Sequence, residues 1–243
     1  MNETVAIEPA VPGVFARAIG IVTSPKATFE HVVRSPRAIG ILALVALLTG
    51  LGTSAFSFTE RGRQAQLEFQ VQQMERFGVT VTDEMYTAME TQSQKQAAYA
   101  PFIAIVGTFV IFPLIVLIVS GILYAVFNAI MGGTAEFKQV MAVVSHAWMV
   151  PTLGAIFGGI MNFVKGVVST SVANLGMLLP MLKEGSFVAN LAGAVDLFQI
   201  WFIITLSIGL GVLYKRKTSG IAAGLFVVYA IIAIGFSYFL RKG

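Results

Sequence analysis

Two ionisable side chains stand inside long apolar stretches of the sequence, His146 and Asp196. An ionisable group in a membrane-length segment is a functional candidate by default, because an unpaired charge in hydrocarbon is costly. With Asn128 they form a candidate intramembrane polar site, and Asn162, Asn190, Gln199 and Tyr124 add uncharged polarity. A proton relay between His146 and Asp196 would need them at one depth. At a rise of 1.5 Å per residue, His146 falls roughly 8 Å to one side of the bilayer midplane and Asp196 roughly 6 Å or more to the other. The spacing therefore favours separate bonds, His146 to Asn128 and Asp196 to Asn162, Lys165 or the nearby Gln199.

Other chemistry finds little support. A lone histidine with no second His, Glu or Cys beside it makes a poor metal site. The chain has 0 cysteines, so thiolate chemistry and disulfides are absent. No phosphate-binding glycine loop, nucleophile elbow or metalloprotease motif occurs. Neither enzymatic activity nor a cofactor is expected, and Trp148 and Trp201 read as packing or interface anchors.

The elements that must hold these groups follow from composition. Of 243 residues, 56% are hydrophobic and only 12% charged, and the mean hydropathy is +0.82. Soluble domains carry about 25% charged residues. The expected fold is an all-α polytopic membrane protein with five transmembrane helices. A span needs about 20 apolar residues, and the stretches that qualify are about 38–58, 101–131, 139–164, 187–214 and 218–240. Pro113 and Pro151 are candidate kinks, and Asp196 interrupts the fourth stretch. The net charge of +4 suits a membrane protein with basic edges and gives no sign of a nucleic-acid partner.

Residues 1–10 read as a disordered tail without the features of a signal peptide. Residues 11–37 read as cytoplasmic interfacial helices. Ser24-Pro25 has the form of a helix start and Ser35-Pro36 of a stop. Between them Phe29, Val32 and Val33 share a face. Upstream, Val11, Phe15, Ile19 and Val22 recur at helical spacing, with Arg17 on the other side. Phe15, Phe29 and Val33 are thus expected in the headgroup layer, with basic residues toward anionic lipid. The alternative is a plug beneath the bundle.

Residues 59–97 read as a helical hairpin that breaks at Gly78 and restarts at Thr82. Its Gln-rich polar face suggests a solvated cap, with a ligand-binding lid as the alternative. Loop basic residues tie between the two sides, but the turn Lys215-Arg216-Lys217 and the residues before the first span favour a cytoplasmic N-terminus. Small residues recur every four positions in all five spans, as at Ala46, Gly50 and Ser54, Gly154 and Gly158, and Gly220 and Gly224, a pattern of close helix contact.

Three stretches together resemble a known family. They are Phe15 with Ser24-Pro25, Phe29 and Ser35-Pro36; 132-GGTAEFKQVMAVVSHAWMVP-151, with Phe137 and the mid-span Pro151; and 196-DLFQIWFIITLSIGLG-211, with Asp196 and Trp201. In this order, with five spans over 38–243, the chain resembles a bacterial member of the Yip family, the Ypt/Rab-interacting membrane proteins. The resemblance implies five spans and a cytoplasmic N-terminus in the cell membrane, here the bacterial inner membrane, and carries no catalytic residues. The expected function is a non-enzymatic membrane scaffold or adaptor, with membrane shaping as a variant. Its partners are membrane lipids and a membrane protein or a second copy of the chain. A small-solute or ion transporter using the intramembrane polar residues is the alternative.

Overall fold

The computed structural model describes residues 13–169, 173–183 and 185–240. The expected tail at 1–10, and Val11, lie outside these. Among the described residues the fold is all helical. Five helical segments are long and apolar enough to cross a membrane: Ile39–Phe58, Ala100–Ile130, Phe137–Lys165, Leu197–Tyr214 and Thr218–Phe239.

Two short helices precede the first span, α1 (Val14–Thr23) and α2 (Pro25–Arg34). Span one is α3 (Ile39–Ser54), continued by one 3-10 turn. A hairpin follows, of α4 (Glu60–Arg76) and α5 (Asp83–Gln96). Thr59 and Thr82 cap its helices, accepting hydrogen bonds from the Gly62 and Met85 amides. Gly78 turns the chain between them with φ +83°, a conformation that costs glycine nothing.

Span two is α6 (Ala100–Tyr124), whose last turn widens to a π-helix over Ala125–Ile130. The helix runs through Pro113 without a break, so the irregularity falls at Asn128 instead. Span three is divided in two, α7 (Phe137–Ala147) and α8 (Met149–Lys165), joined at Trp148. Pro151 explains the division: it has no amide to give the Ala147 carbonyl, and its ring crowds that turn.

The fourth apolar stretch departs from expectation. It is not one helix over 187–214 but a short α9 (Phe187–Ala194) and then α10 (Leu197–Tyr214). Val195 is extended, and the Asp196 carboxylate accepts from the Gln199 amide at 3.0 Å, which starts a new helix instead of continuing the old one. Span five is α11 (Thr218–Phe239).

Span three is the hub. In its most apolar stretch 56% of the residues are buried, against 11% for spans two and five. Span one lies between spans two and three and touches each through small residues. A Cβ on Gly50 would stand 3.1 Å from the Ile105 Cα, and one on Gly52 2.8 Å from the Ala155 carbonyl carbon. Polar bonds reinforce both crossings. Thr108 donates to the Ala46 carbonyl at 2.8 Å, and the Thr49 and Thr152 hydroxyls pair at 3.1 Å. Lipid offers no hydrophobic drive for helix association, so close backbones and such bonds carry it.

Helices α1 and α2 correct the interfacial expectation. Phe29 is 0% exposed, its ring seated in the notch left by Gly209 of α10 and next to Val143 of α7. Val33 is half-buried against the same core. Helix α2 is therefore a plug, held by the packing of the Phe29 ring into that notch. Helix α1 does turn Phe15 outward, at 69% exposed, and Ile19 with it. Arg17, expected toward lipid headgroups, is instead 3% exposed and donates to the Ser35 carbonyl at 3.2 Å. That carbonyl belongs to the negative end of the α2 dipole, which attracts the guanidinium. Burial, and then the nearby Arg37 charge, lower the Arg17 pKa from its ordinary value.

Candidate functional site

The polar residues singled out in the spans occupy three levels. At the face that carries α1 and α2, the π-helical turn carries the side chain of Asn128 toward α10. Its Nδ2 donates to the Ala135 carbonyl at 2.7 Å, and its Oδ1 accepts from the Tyr214 hydroxyl at 2.8 Å. The Tyr214 ring stacks on Phe127 with centroids 4.7 Å apart. Gly133 is required here, because a Cβ would stand 2.6 Å from that ring. Arg216 Nη2 donates to the Met131 carbonyl at 2.7 Å, closing the loop between spans two and three onto the turn between spans four and five. The glutamate and glutamine at the start of α7 complete the corner: Glu136 and Gln139 form a reciprocal capping box, and Gln139 Nε2 donates to the Val33 carbonyl at 3.2 Å. Phe137 opens α7 with its ring edge against Tyr124.

At the middle level His146 is 1% exposed. Its Nδ1 lies 2.7 Å from the Ala142 carbonyl of its own helix. A carbonyl only accepts, so Nδ1 carries the hydrogen in this bond. Nε2 is buried and has no hydrogen-bond partner among the described residues, as is true of Trp148 Nε1 and the Ser120 hydroxyl. The expected bond to Asn128 is absent because Asn128 is engaged at both ends by Ala135 and Tyr214. The Trp148 ring lies between Phe112, which it meets edge-on, and the tilted ring of Phe202.

At the opposite face Asp196 caps α10 and lines a cavity of about 650 Å³ with Asn162, Gln199, Phe198, Gln66 and Tyr229. Asn162 accepts from the Ser169 amide at 3.3 Å, and the Tyr229 hydroxyl donates to the Ala194 carbonyl. Gly154 gives the Phe198 ring its space, and Phe198 in turn stacks on Trp201.

The three candidates do not meet. Asp196 and the Asn128 partner Tyr214 sit at the two ends of α10, about 27 Å apart along its axis. His146 lies between the Val143–Gly209 and Trp148–Phe202 contacts, about 13 Å along α10 from Asp196. Among the described residues no group of three metal-ligating side chains occurs. The family-motif residues are also dispersed. Pro25 and Phe29 shape α2, Pro36 its exit, and Pro151 and Trp201 the packing of spans three and four. Tyr214 escaped the sequence reading; its position just before Lys215-Arg216-Lys217, opposite a Gly-Gly pair, was the available signal.

A model of the family described as "Yip1 domain" matches residues 19–240. Among curated proteins the chain is similar to "Membrane protein YknW" of Bacillus subtilis (strain 168), 25% identical over 223 residues, which span 89% of this chain and 84% of that protein. No solved structure matches.

Proposed function

Because the chain belongs to the Yip1 domain family, we propose that this membrane protein is a non-enzymatic scaffold or adaptor that packs against a membrane-protein partner or a second copy of itself. The observation that carries this reading is the exposure of its two outer spans. Spans two and five bury 11% of their most apolar stretches, and Cβ atoms added at Gly220 or Gly224 would meet nothing within 4 Å. Small residues let another helix approach closely in lipid.

The transporter reading gains nothing from the geometry. Asn128 is clasped, His146 is sealed, and Asp196 caps a helix at the far face. Catalysis gains nothing either, for the same reason.

The orientation proposed is N-terminus in the cytoplasm of a bacterial inner membrane. It is supported by Lys215, Arg216 and Lys217 turning on the face that carries α2 with Lys26 and Arg34. The cysteine-free chain makes this easy to check. Thr134→Cys should react with an impermeant maleimide only after the cytoplasmic side is opened, and Thr80→Cys in intact cells; the reverse pattern refutes the orientation.

The scaffold reading is tested by affinity purification from native membranes in gentle detergent, against an unrelated five-span control. A stoichiometric membrane partner or a homo-oligomer is expected, and Gly220→Ile/Gly224→Ile should lose it. A partner-free monomer in native membranes overturns the reading.

A further inference from the structure

The hairpin encloses a second cavity, and its lining is unlike the interior of a packed helical pair. Helices α4 and α5 stand over the ends of spans one and two around a cleft of about 690 Å³. Where a packed hairpin would set apolar residues face to face, this one sets amides. Gln66 and Gln70 project from α4, and Gln92 and Gln96 from α5. The floor between them is Leu67, Met89 and Pro101.

Three features mark this cleft as built to hold something. First, four side-chain amides, two from each helix, converge on one cleft. Gln66 and Gln96 are half-buried and Gln70 and Gln92 stand at the mouth. Second, the hairpin sorts its charges. Glu60, Glu68, Glu75, Asp83, Glu84 and Glu90 all lie in it, and none lines the cleft; Arg63 is the charged residue that does. Third, α5 buries none of its 14 residues. A lone helix of that length is marginal in water, so it stands to gain from a guest laid against Ala88 and Met89.

The spacing of the amides says what guest. On each helix the two glutamines are four residues apart, about 6 Å along the axis. In an extended polypeptide, backbone groups facing the same way recur every second residue, about 6.6 Å. Each glutamine amide offers both a donor and an acceptor, matching a peptide group. No aromatic ring lines the cleft to stack on a sugar, and a single cation is a poor match for a phosphate. We propose that the cleft binds an extended peptide segment, neutral or weakly acidic, by pairing the Gln66/Gln70 and Gln92/Gln96 amides with its backbone while Leu67 and Met89 receive its side chains. The site touches span two only at its first turns, through Ala100, Pro101 and Ala104, and leaves span five untouched, so its binding is read apart from the lateral packing of the scaffold reading.

The test uses the full chain in lipid nanodiscs and a pool of fluorescein-labelled hexapeptides built from Thr, Val, Ser and Ala with free carboxyl termini. Fluorescence polarisation reads binding, with maltohexaose as the competing carbohydrate. Saturable binding is expected, at least tenfold weaker in Gln70→Ala/Gln92→Ala and unchanged in Glu68→Ala/Glu90→Ala. Alanine keeps both helices, so these variants do not threaten the fold. As a second readout, a benzophenone placed on Ser93→Cys should cross-link to the peptide. Absence of saturable binding, equal binding by both double variants, or binding of maltohexaose in place of peptide overturns the proposal.

Discussion

The Tyr214 hydroxyl and the Asn128 amide oxygen, 86 positions apart in sequence, are joined by a 2.8 Å hydrogen bond that fastens the end of span four to the end of span two. Because Asn128 also holds the Ala135 carbonyl, one side chain fixes the loop before α7 and the C-terminus of α10 together. Both side chains are half-buried, so losing the bond costs about 1 kcal/mol. Tyr214→Phe and Asn128→Ala should each lower the unfolding midpoint in detergent. The double variant should fall short of the sum, with a coupling of about 0.6 kcal/mol as for bonds between membrane helices. Strict additivity would show that the bond contributes nothing.

Gly52 and Gly159 set the crossing of spans one and three. A Cβ on Gly159 would collide with the Gly52 carbonyl oxygen, whereas one on its neighbour Gly158 would meet nothing within 4 Å. Gly159→Leu should therefore abolish the folded protein or cost several times the roughly 1–3 kcal/mol of ordinary overpacking. Gly158→Leu should leave it near wild type. Thermal stability of the two purified variants decides, and equal losses would refute the crossing.

Phe29 and Phe15 answer differently to truncation. Phe29→Ala opens a hole beneath Gly209 and should cost about 3–5 kcal/mol. Phe15 is exposed, so Phe15→Ala should change stability by about 0.5 kcal/mol or less. A larger loss at Phe15 than at Phe29 would restore the view of α2 as an interfacial helix.

His146 is sealed, with one ring nitrogen unmet. A buried polar atom without a partner costs free energy that an apolar side chain of similar volume does not. His146→Leu should leave the stability unchanged or raise it, and should leave the partner complex of the scaffold reading intact. Loss of a solute flux on this substitution, with the fold preserved, would favour transport.

Much of the fold was legible in the sequence because it depends on local chemistry. Charge-free runs of membrane length marked five spans, Ser24-Pro25 marked the start of α2, and Thr82 before Asp83 and Glu84 marked the start of α5. Asp196 was visible as an interruption, but its effect on the chain was not. Whether a carboxylate bends a helix, pairs across it or caps a new one depends on the backbone amide it finds, here that of Gln199.

The sequence alone determined the class of solvent and the number of apolar runs long enough to cross it, since these follow from residue types and run lengths. Tertiary structure alone decided which faces meet. The apolar pattern of α2 is the same for a lipid-facing helix and for a plug, and only the notch at Gly209 makes Phe29 the latter. The evenly spaced glycines looked alike, yet Gly50 and Gly154 face another helix while Gly158, Gly220 and Gly224 face open space, and the backbone contacts of Gly52 and Gly159 lie off that spacing. The glutamines of α4 and α5 read as a solvated surface, and only the folded hairpin turns two pairs of them toward one cleft. Each distinction is a long-range packing relation, and a helical period records which residues share a face without recording what lies opposite.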